Sequence, residues 1–298
     1  MMTNLKLDAN HVNSRMIGFW LRIPVILRAL LLGFFVYAIG GLAAWMAVLV
    51  FVPIPWSLVV MWGVLWIYWK YFSGSWWPRS TANSRRESAR STKLPSGVWK
   101  WSLAAALFAV LMIESSVVIT FRLIEFPAEE MSLGIDFSAF PPWMVWLYII
   151  LMASVAGITE EVGFRGYMQV PLEKRYGPKA AIVMVSILFM VLHINQAWAP
   201  FVLLHLFVIG AAWGILAHAS GSLLPSIISH ILADIFSFSY FWTDVAGTFK
   251  QQTIAETGID AHFIVWIFLF AISVAFYVWT VRKTFLVRQK AESNLEVV

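Results

Sequence analysis

A few ionisable residues stand at spacings that could do chemistry. The first group is Glu160-Glu161-Val-Gly-Phe-Arg165. On a helix Glu161 and Arg165 are four apart and share a face, in the favourable order with the acid first. Glu160 is turned about 100° away, so it is left free to face a cavity and serve as a general base. The same six residues also read as a buried ion-pair cluster tying two helices together. The second group is Phe189-Met-Val-Leu-His193, and the third is His230-Ile-Leu-Ala-Asp234. In the third, the imidazole and carboxylate share a helix face. The acid can fix the ring's tautomer or join it in holding a water or a metal. His193, His230 and Asp234 could together ligate Zn²⁺ and leave a position for water, although no His-Glu-x-x-His pair is present. His205 and His218 read as packing or hydrogen-bonding histidines, His262 as an interfacial one and His11 as part of the tail. Glu114 either faces the cavity or pairs with Ser115 or Ser116.

These residues are exceptions in an apolar chain. Of 298 residues, 60% are hydrophobic and only 12% are charged, against about 25% charged in a soluble domain. The mean hydropathy is +0.77. Such a chain cannot cover a water-facing surface, so a soluble globule, a disordered tail protein and a basic nucleic-acid binder are excluded. The composition is that of an all-α polytopic membrane protein, and the net charge of +5 concerns topology rather than DNA. With no cysteine, disulfides, thiolate metal sites and a cysteine nucleophile are excluded. Ionisable groups within spans are costly and are functional candidates by default.

Eight apolar runs long enough for helical spans are expected, at 29–52, 56–72, 98–121, 142–168, 179–196, 200–218, 222–242 and 262–281. They do not alternate as barrel strands would. Pro53 and Pro55, Gly177-Pro178 and Ser220-Gly221-Ser222 punctuate them, and residues 73–97 form one long polar loop. No cleavable signal peptide and no internal repeat is expected. The chain divides into an N-terminal membrane region with a basic loop (1–141), a core (142–242), and a last span with a basic tail (243–298).

With eight spans, nineteen of the 21 basic residues fall on one side. They lie in the N-terminal segment, the 73–97 loop and its edges, the 165–179 connection and the tail. The other side receives Arg122 and Lys250, with Glu125, Glu129, Glu130, Asp136, Asp244, Glu256 and Asp260. This asymmetry predicts both termini in the cytoplasm. Trp76, Trp77, Trp99, Trp101, Trp143 and Trp242 suit the membrane interfaces. Measured from the basic side at 1.5 Å per residue, Glu160 lies roughly 18 Å deep, His193 roughly 20 Å and His230 and Asp234 about 12–18 Å. Three helices thus bring their ionisable residues to one level, as a shared buried site requires.

Glu160-Glu161-xxx-Arg165, Phe189-xxx-His193 and His230-xxx-Asp234, in that order, resemble the motifs of the CPBP intramembrane proteases. This group, also called Abi, holds CAAX prenyl endopeptidases and bacteriocin-processing or immunity proteins. The run from Gly210-Ala-Ala-Trp-Gly214 through Gly221-Ser-Leu-Leu-Pro225 to His230 is also similar to that family. The likeness covers about residues 142–240. It implies about eight helices around a buried polar cavity open to the cytoplasm, and endoproteolysis of a peptide or membrane-protein substrate. By position it implies that Glu160 activates water and His193 orients it or stabilises charge. His230 with Asp234 would complete the oxyanion side, while Glu161 and Arg165 are supporting. The CAAX endopeptidases usually carry Asn where this chain has Asp234. An ionised carboxylate cannot donate to an oxyanion, so Asp234 is protonated, orients His230 or binds a metal. The expected mechanism uses glutamate and water with no obligatory metal, zinc being the alternative. Expected partners are the substrate and membrane lipid, without nucleic acid, in a bacterial inner membrane. The rival readings are a non-proteolytic scaffold or regulator of the same fold, a bacteriocin-immunity protein, and a transporter. The transporter is disfavoured because paired halves are lacking. No Gly-x-Ser-Gly motif and no Gly-x-Gly-Asp motif accompanies these residues, which disfavours rhomboid-type and aspartyl intramembrane proteases.

Overall fold

The computed structural model describes residues 18–51, 57–127, 136–196, 199–247 and 252–296. Lys6, His11, Arg15, Pro53, Pro55, Glu129, Glu130 and Lys250 lie outside the described residues. The regular structure is helical, with no strand among the described residues. In hydrocarbon, a helix satisfies the backbone of an apolar run within the segment itself. The long helices are α1 (Val25–Phe51), α2 (Ser57–Phe72), α4 (Ser96–Leu123), α5 (Pro142–Glu160), α7 (Pro178–Leu192), α8 (Pro200–Ser220), α9 (Leu224–Tyr240) and α11 (Ala261–Glu296). Between them stand the short α3 (Ala82–Ser88), α6 (Gln169–Tyr176) and α10 (Ile254–Thr257). α5 continues without a break through a π-helical stretch, Glu161–Met168, into α6.

Each of the eight expected segments coincides with one of these rods. Five of them (α1, α4, the α5–α6 rod, α8 and α11) are long and apolar enough to cross a bilayer. α2, α7 and α9 have 16, 15 and 17 residues. At 1.5 Å per residue they reach about 23–26 Å, short of the roughly 30 Å hydrocarbon core. Eight rods are therefore present, while five meet the length of a full span.

The rods end where the sequence punctuates them. Gly177 takes φ +81°, and Pro178 follows at the first position of α7, where its missing N–H costs nothing. Gly221, at φ +70°, closes α8 in the left-handed conformation.

Packing places α4, α5, α8 and α9 around a common centre. α11 lies along α4, α7 along α8, and α1 against the π stretch. Two close approaches need glycine. A Cβ on Gly163 would stand 2.7 Å from Tyr37 Cβ and 2.9 Å from the Gly33 carbonyl oxygen; one on Gly157 would stand 2.6 Å from Ile231 Cγ1. Glycine lets α1 press on the π stretch and α9 press on α5, beside Glu160 and His230.

The polar loop after α2 is not a solvated connection. The Arg85 guanidinium donates to the carbonyl oxygens of Tyr71, Trp76 and Pro78 and lies over the Tyr71 ring. Arg90 pairs with Glu173 of α6 at 2.6 Å and donates to the Ala217 carbonyl of α8 at 3.1 Å. Glu173 also accepts from Gln169 at 2.7 Å and lies 3.1 Å from His218 Nδ1. A Cβ on Gly166 would meet the Ser88 carbonyl oxygen at 2.9 Å. The loop is thereby folded across the basic end of the bundle, the end at which α2, α6 and α8 finish and α4, α7 and α9 begin.

Candidate active site

The π stretch carries the first motif. Sequence periodicity alone predicts a plain α-helix here; the observed wider turn sets Glu161 and Arg165 wholly inside the bundle. Such turns are frequent at functional sites, and Gly163 and Gly166 weaken the α-helical alternative. The expected pair forms: Arg165 Nη1 lies 2.9 Å from Glu161 Oε1, with both side chains fully buried. Arg165 also donates to the Gly210 carbonyl at 3.2 Å. Its guanidinium lies 4.6 Å from the centre of the Phe189 ring and 5.3 Å from Trp213. A buried ion pair is tolerated when its remaining charge is met by such neighbours.

Glu161 does more than hold Arg165. His230 Nδ1 lies 3.1 Å from Glu161 Oε1. A carboxylate only accepts, so this nitrogen carries the proton and Nε2 is left pointing elsewhere. His193 is set in the same manner, its Nδ1–H donating to the Phe189 carbonyl at 2.8 Å. Both Nε2 atoms face Glu160 Oε2, His193 at 3.8 Å and His230 at 3.9 Å. Asp234 Oδ2 stands 3.6 Å from His230 Nε2. Those separations exceed a direct hydrogen bond, and Glu160 Oε2 makes none. The structure thus brings Glu160, His193, His230 and Asp234 to one point, with Glu161 and Arg165 directly behind them.

They line a cavity of about 250 Å³ whose other walls are mostly apolar. Side-chain exposures of 10% for Glu160, 18% for His193 and 20% for Asp234 show that each reaches the cavity space. His193 is not mid-helix as its expected span implies, because α7 stops at Leu192 and His193 is its cap.

Other residues sort differently from their sequence reading. His205 lines the cavity and lies 3.1 Å from Ser116 Oγ, closer to the site than a packing role implies. Glu114 is buried on α4 and faces Asp234 and Ser237 of α9. It pairs with neither Ser115 nor Ser116: Ser116 bonds the Ile113 carbonyl and His205. Trp213 also enters the site. Its indole stacks on His230 with ring centres 3.7 Å apart at 15°, and its N–H donates to Ser229 at 3.1 Å. The signal available was a tryptophan between the small residues of Gly210-Ala-Ala-Trp-Gly214, which let a large ring enter from a closely packed helix. His218 belongs to the Arg90–Glu173 cluster, and His262 to Arg122 at the opposite end.

Two imidazoles and two carboxylates are a donor set that zinc accepts. Among the described residues, however, no three His, Asp or Glu side chains are grouped to hold a metal ion.

Residues 142–236 match the family model described as type II CAAX prenyl endopeptidase, Rce1-like. No curated protein and no solved structure matches. The match begins at the first turn of α5 and ends just past Asp234. Every clustered residue except Glu114 lies within it. This supports an activity of the CAAX-protease kind in an integral membrane protein. Over residues 142–236 the chain is similar to the Rce1-like type II CAAX prenyl endopeptidases.

Proposed function

We propose that the protein is an intramembrane endopeptidase in which Glu160 activates a water molecule for attack on a peptide bond. The observation that carries this is the unpartnered Glu160 Oε2 facing two imidazole Nε2 atoms at 3.8 and 3.9 Å. A water standing off the 3.8 Å line between Glu160 Oε2 and His193 Nε2 can donate one hydrogen to each. Glu160 takes one proton from it, the oxygen adds to the peptide carbonyl, and the proton passes on to the departing amine. His193 orients the water. Asp234 and His230 flank the opposite side, where the oxyanion develops. Because Glu161 already orients His230, Asp234 is free to act toward the cavity, donating a hydrogen bond when it carries a proton.

The reading assigns no obligatory metal. Elemental analysis of purified protein, with activity measured before and after chelation, checks this. Activity lost to chelator and restored by Zn²⁺ would replace the metal-free mechanism. The proposed setting is a bacterial inner membrane with both termini cytoplasmic, and the proposed substrate is a peptide or a membrane-protein segment.

Peptide termini compared between cells carrying wild type and Glu160→Gln test the function. At least one terminus is expected to vanish, with turnover falling by about 10²–10⁴-fold, the usual share of a general base. Identical termini in the two cell lines would leave a scaffold of the same fold as the better reading.

A further inference from the structure

We infer that His205 is a specificity-determining residue of the cavity: its Nε2 is a bare hydrogen-bond acceptor for an uncharged N–H or O–H group of the substrate. The inference deepens the peptidase reading and rests on it only for the occupant being a peptide.

The proton on Ser116 decides which ring nitrogen is bare. The Ser116 hydroxyl stands 2.7 Å from the Ile113 carbonyl oxygen. Two oxygens at that distance need a hydrogen between them, and only the hydroxyl has one. Ser116 Oγ therefore turns a lone pair to His205 Nδ1, 3.1 Å away, and Nδ1–H is the donor. The ring is in no ion pair among the described residues. Set in an apolar wall without a counter-charge, it is neutral, and a neutral imidazole has a single N–H. Nε2 is then the lone-pair nitrogen.

That nitrogen has no partner among the described residues. It is not one of the unpartnered side-chain nitrogens that protein atoms enclose, and His205 lines the cavity; Nε2 therefore meets the cavity space. Val202, His205, Leu206, Ile209 and Trp213 form one stripe of α8 on that wall. In a mostly apolar pocket, a single placed polar group fixes the ligand's orientation and selects it. A lone pair attracts an N–H or O–H and repels a carboxylate. The matching group is a backbone amide of the peptide, or an amide, hydroxyl or indole side chain.

The subsite stands apart from the chemistry. Trp213 stacks on His230 and so marks the level of the reacting groups. His205 comes eight residues earlier on α8, about 12 Å along the axis. An extended peptide covers that distance in roughly three or four residues. His205 thus acts on which peptide is held, at a few residues from the bond that is cut.

Two measurements test this. Protein carrying nitrogen-15-labelled histidine is titrated in detergent with indole and with N-methylindole, which differ by one N–H. His205 is expected as the Nδ1–H tautomer, and indole is expected to shift its Nε2 resonance where N-methylindole does not. Wild type is expected to bind indole about tenfold more tightly than N-methylindole, the share of one hydrogen bond. His205→Phe is expected to bind the two alike. An Nε2–H tautomer, or equal affinities in wild type, would overturn the inference. The second measurement uses the peptide spanning a terminus that vanishes with Glu160→Gln. Its backbone amides are N-methylated one at a time, and its donor side chains are replaced one at a time in a separate series. One change is expected to raise KM about tenfold in wild type and to have no such effect in His205→Phe. His205→Gln, whose amide oxygen also accepts, should recover part of the discrimination. A backbone source shows in the first series and a side-chain source in the second. Discrimination that persists in His205→Phe would count against the inference. The indole titration needs no turnover. N–H-selective binding in a protein that cuts nothing would break the peptidase reading and leave the acceptor subsite standing.

Discussion

At the scale of single residues, the division of labour between Glu160 and Glu161 rests on who touches whom. Glu161 is enclosed by Arg165 and His230, so its loss strands a buried cation. Breaking a buried pair from one side costs about 3–5 kcal/mol. Glu161→Gln and Arg165→Met are expected to lower the yield of folded, monodisperse protein and its thermal midpoint in detergent. Normal yield and midpoint with dead chemistry would assign Glu161 to the reaction instead. Asp234 is expected to behave in the opposite way. An amide always has a hydrogen to donate, whereas a carboxyl donates only when protonated. Asp234→Asn should therefore retain cleavage within about tenfold. Asp234→Ala should lose about 10²–10³-fold, the cost of one oxyanion donor. Comparable loss in both variants, measured as turnover on one peptide, would mean that the negative charge itself is needed.

At the scale of elements, the π stretch does the positioning. Gly163 meets the backbone of α1, and a backbone cannot rotate aside as a flexible side chain does. Gly163→Ala is expected to cost about 1–3 kcal/mol through overpacking. Thermal unfolding in detergent reads that loss, and cleavage per folded molecule should fall with it because Glu161 moves too. An unchanged midpoint would show that α1 yields freely. The elements themselves were legible in the sequence because apolar runs bounded by Gly and Pro mark helices plainly. The wider turn was not, since Glu161 and Arg165 satisfy an ordinary i,i+4 pattern and periodicity cannot register one extra residue per turn. The meeting of Glu160, His193, His230 and Asp234 was readable as a common depth along three helices. Trp213 and Glu114 were not readable in the same way. A stacked indole resembles any apolar core residue, and a lone acid gives no sign of which helix it faces. The loop at 73–97 misleads for a related reason: its arginines look solvated until the carbonyls they bind are known.

At the scale of the whole molecule, Asp260 helps to tie α4 to α11 at the end with few basic residues. Asp260 caps α11 by accepting from the Phe263 N–H at 2.8 Å and pairs with Arg122 at 2.8 Å. These hydrogen bonds hold its carboxyl below the usual range. A depressed carboxyl contributes stability above its unfolded value, near pH 3.9, and that contribution is lost as the pH falls through the folded value. The effect is modest at an exposed position. Asp260→Asn should flatten the acid side of a midpoint-against-pH curve while leaving cleavage by folded protein unchanged. An acid limb identical to wild type would show that the contact contributes nothing.

The last helix has 36 residues, about 54 Å, and so outruns the hydrocarbon by some 20 Å. Near its far end Arg288 clasps the turn between α8 and α9, donating to the His218 carbonyl at 2.8 Å and lying against Gly221. That turn is the root of the helix bearing His230 and Asp234. In mechanical terms the C-terminal helix is a handle on the α9 rod. A rigid partner grafted to it would pass torque to the imidazole, and a slack tether would pass none.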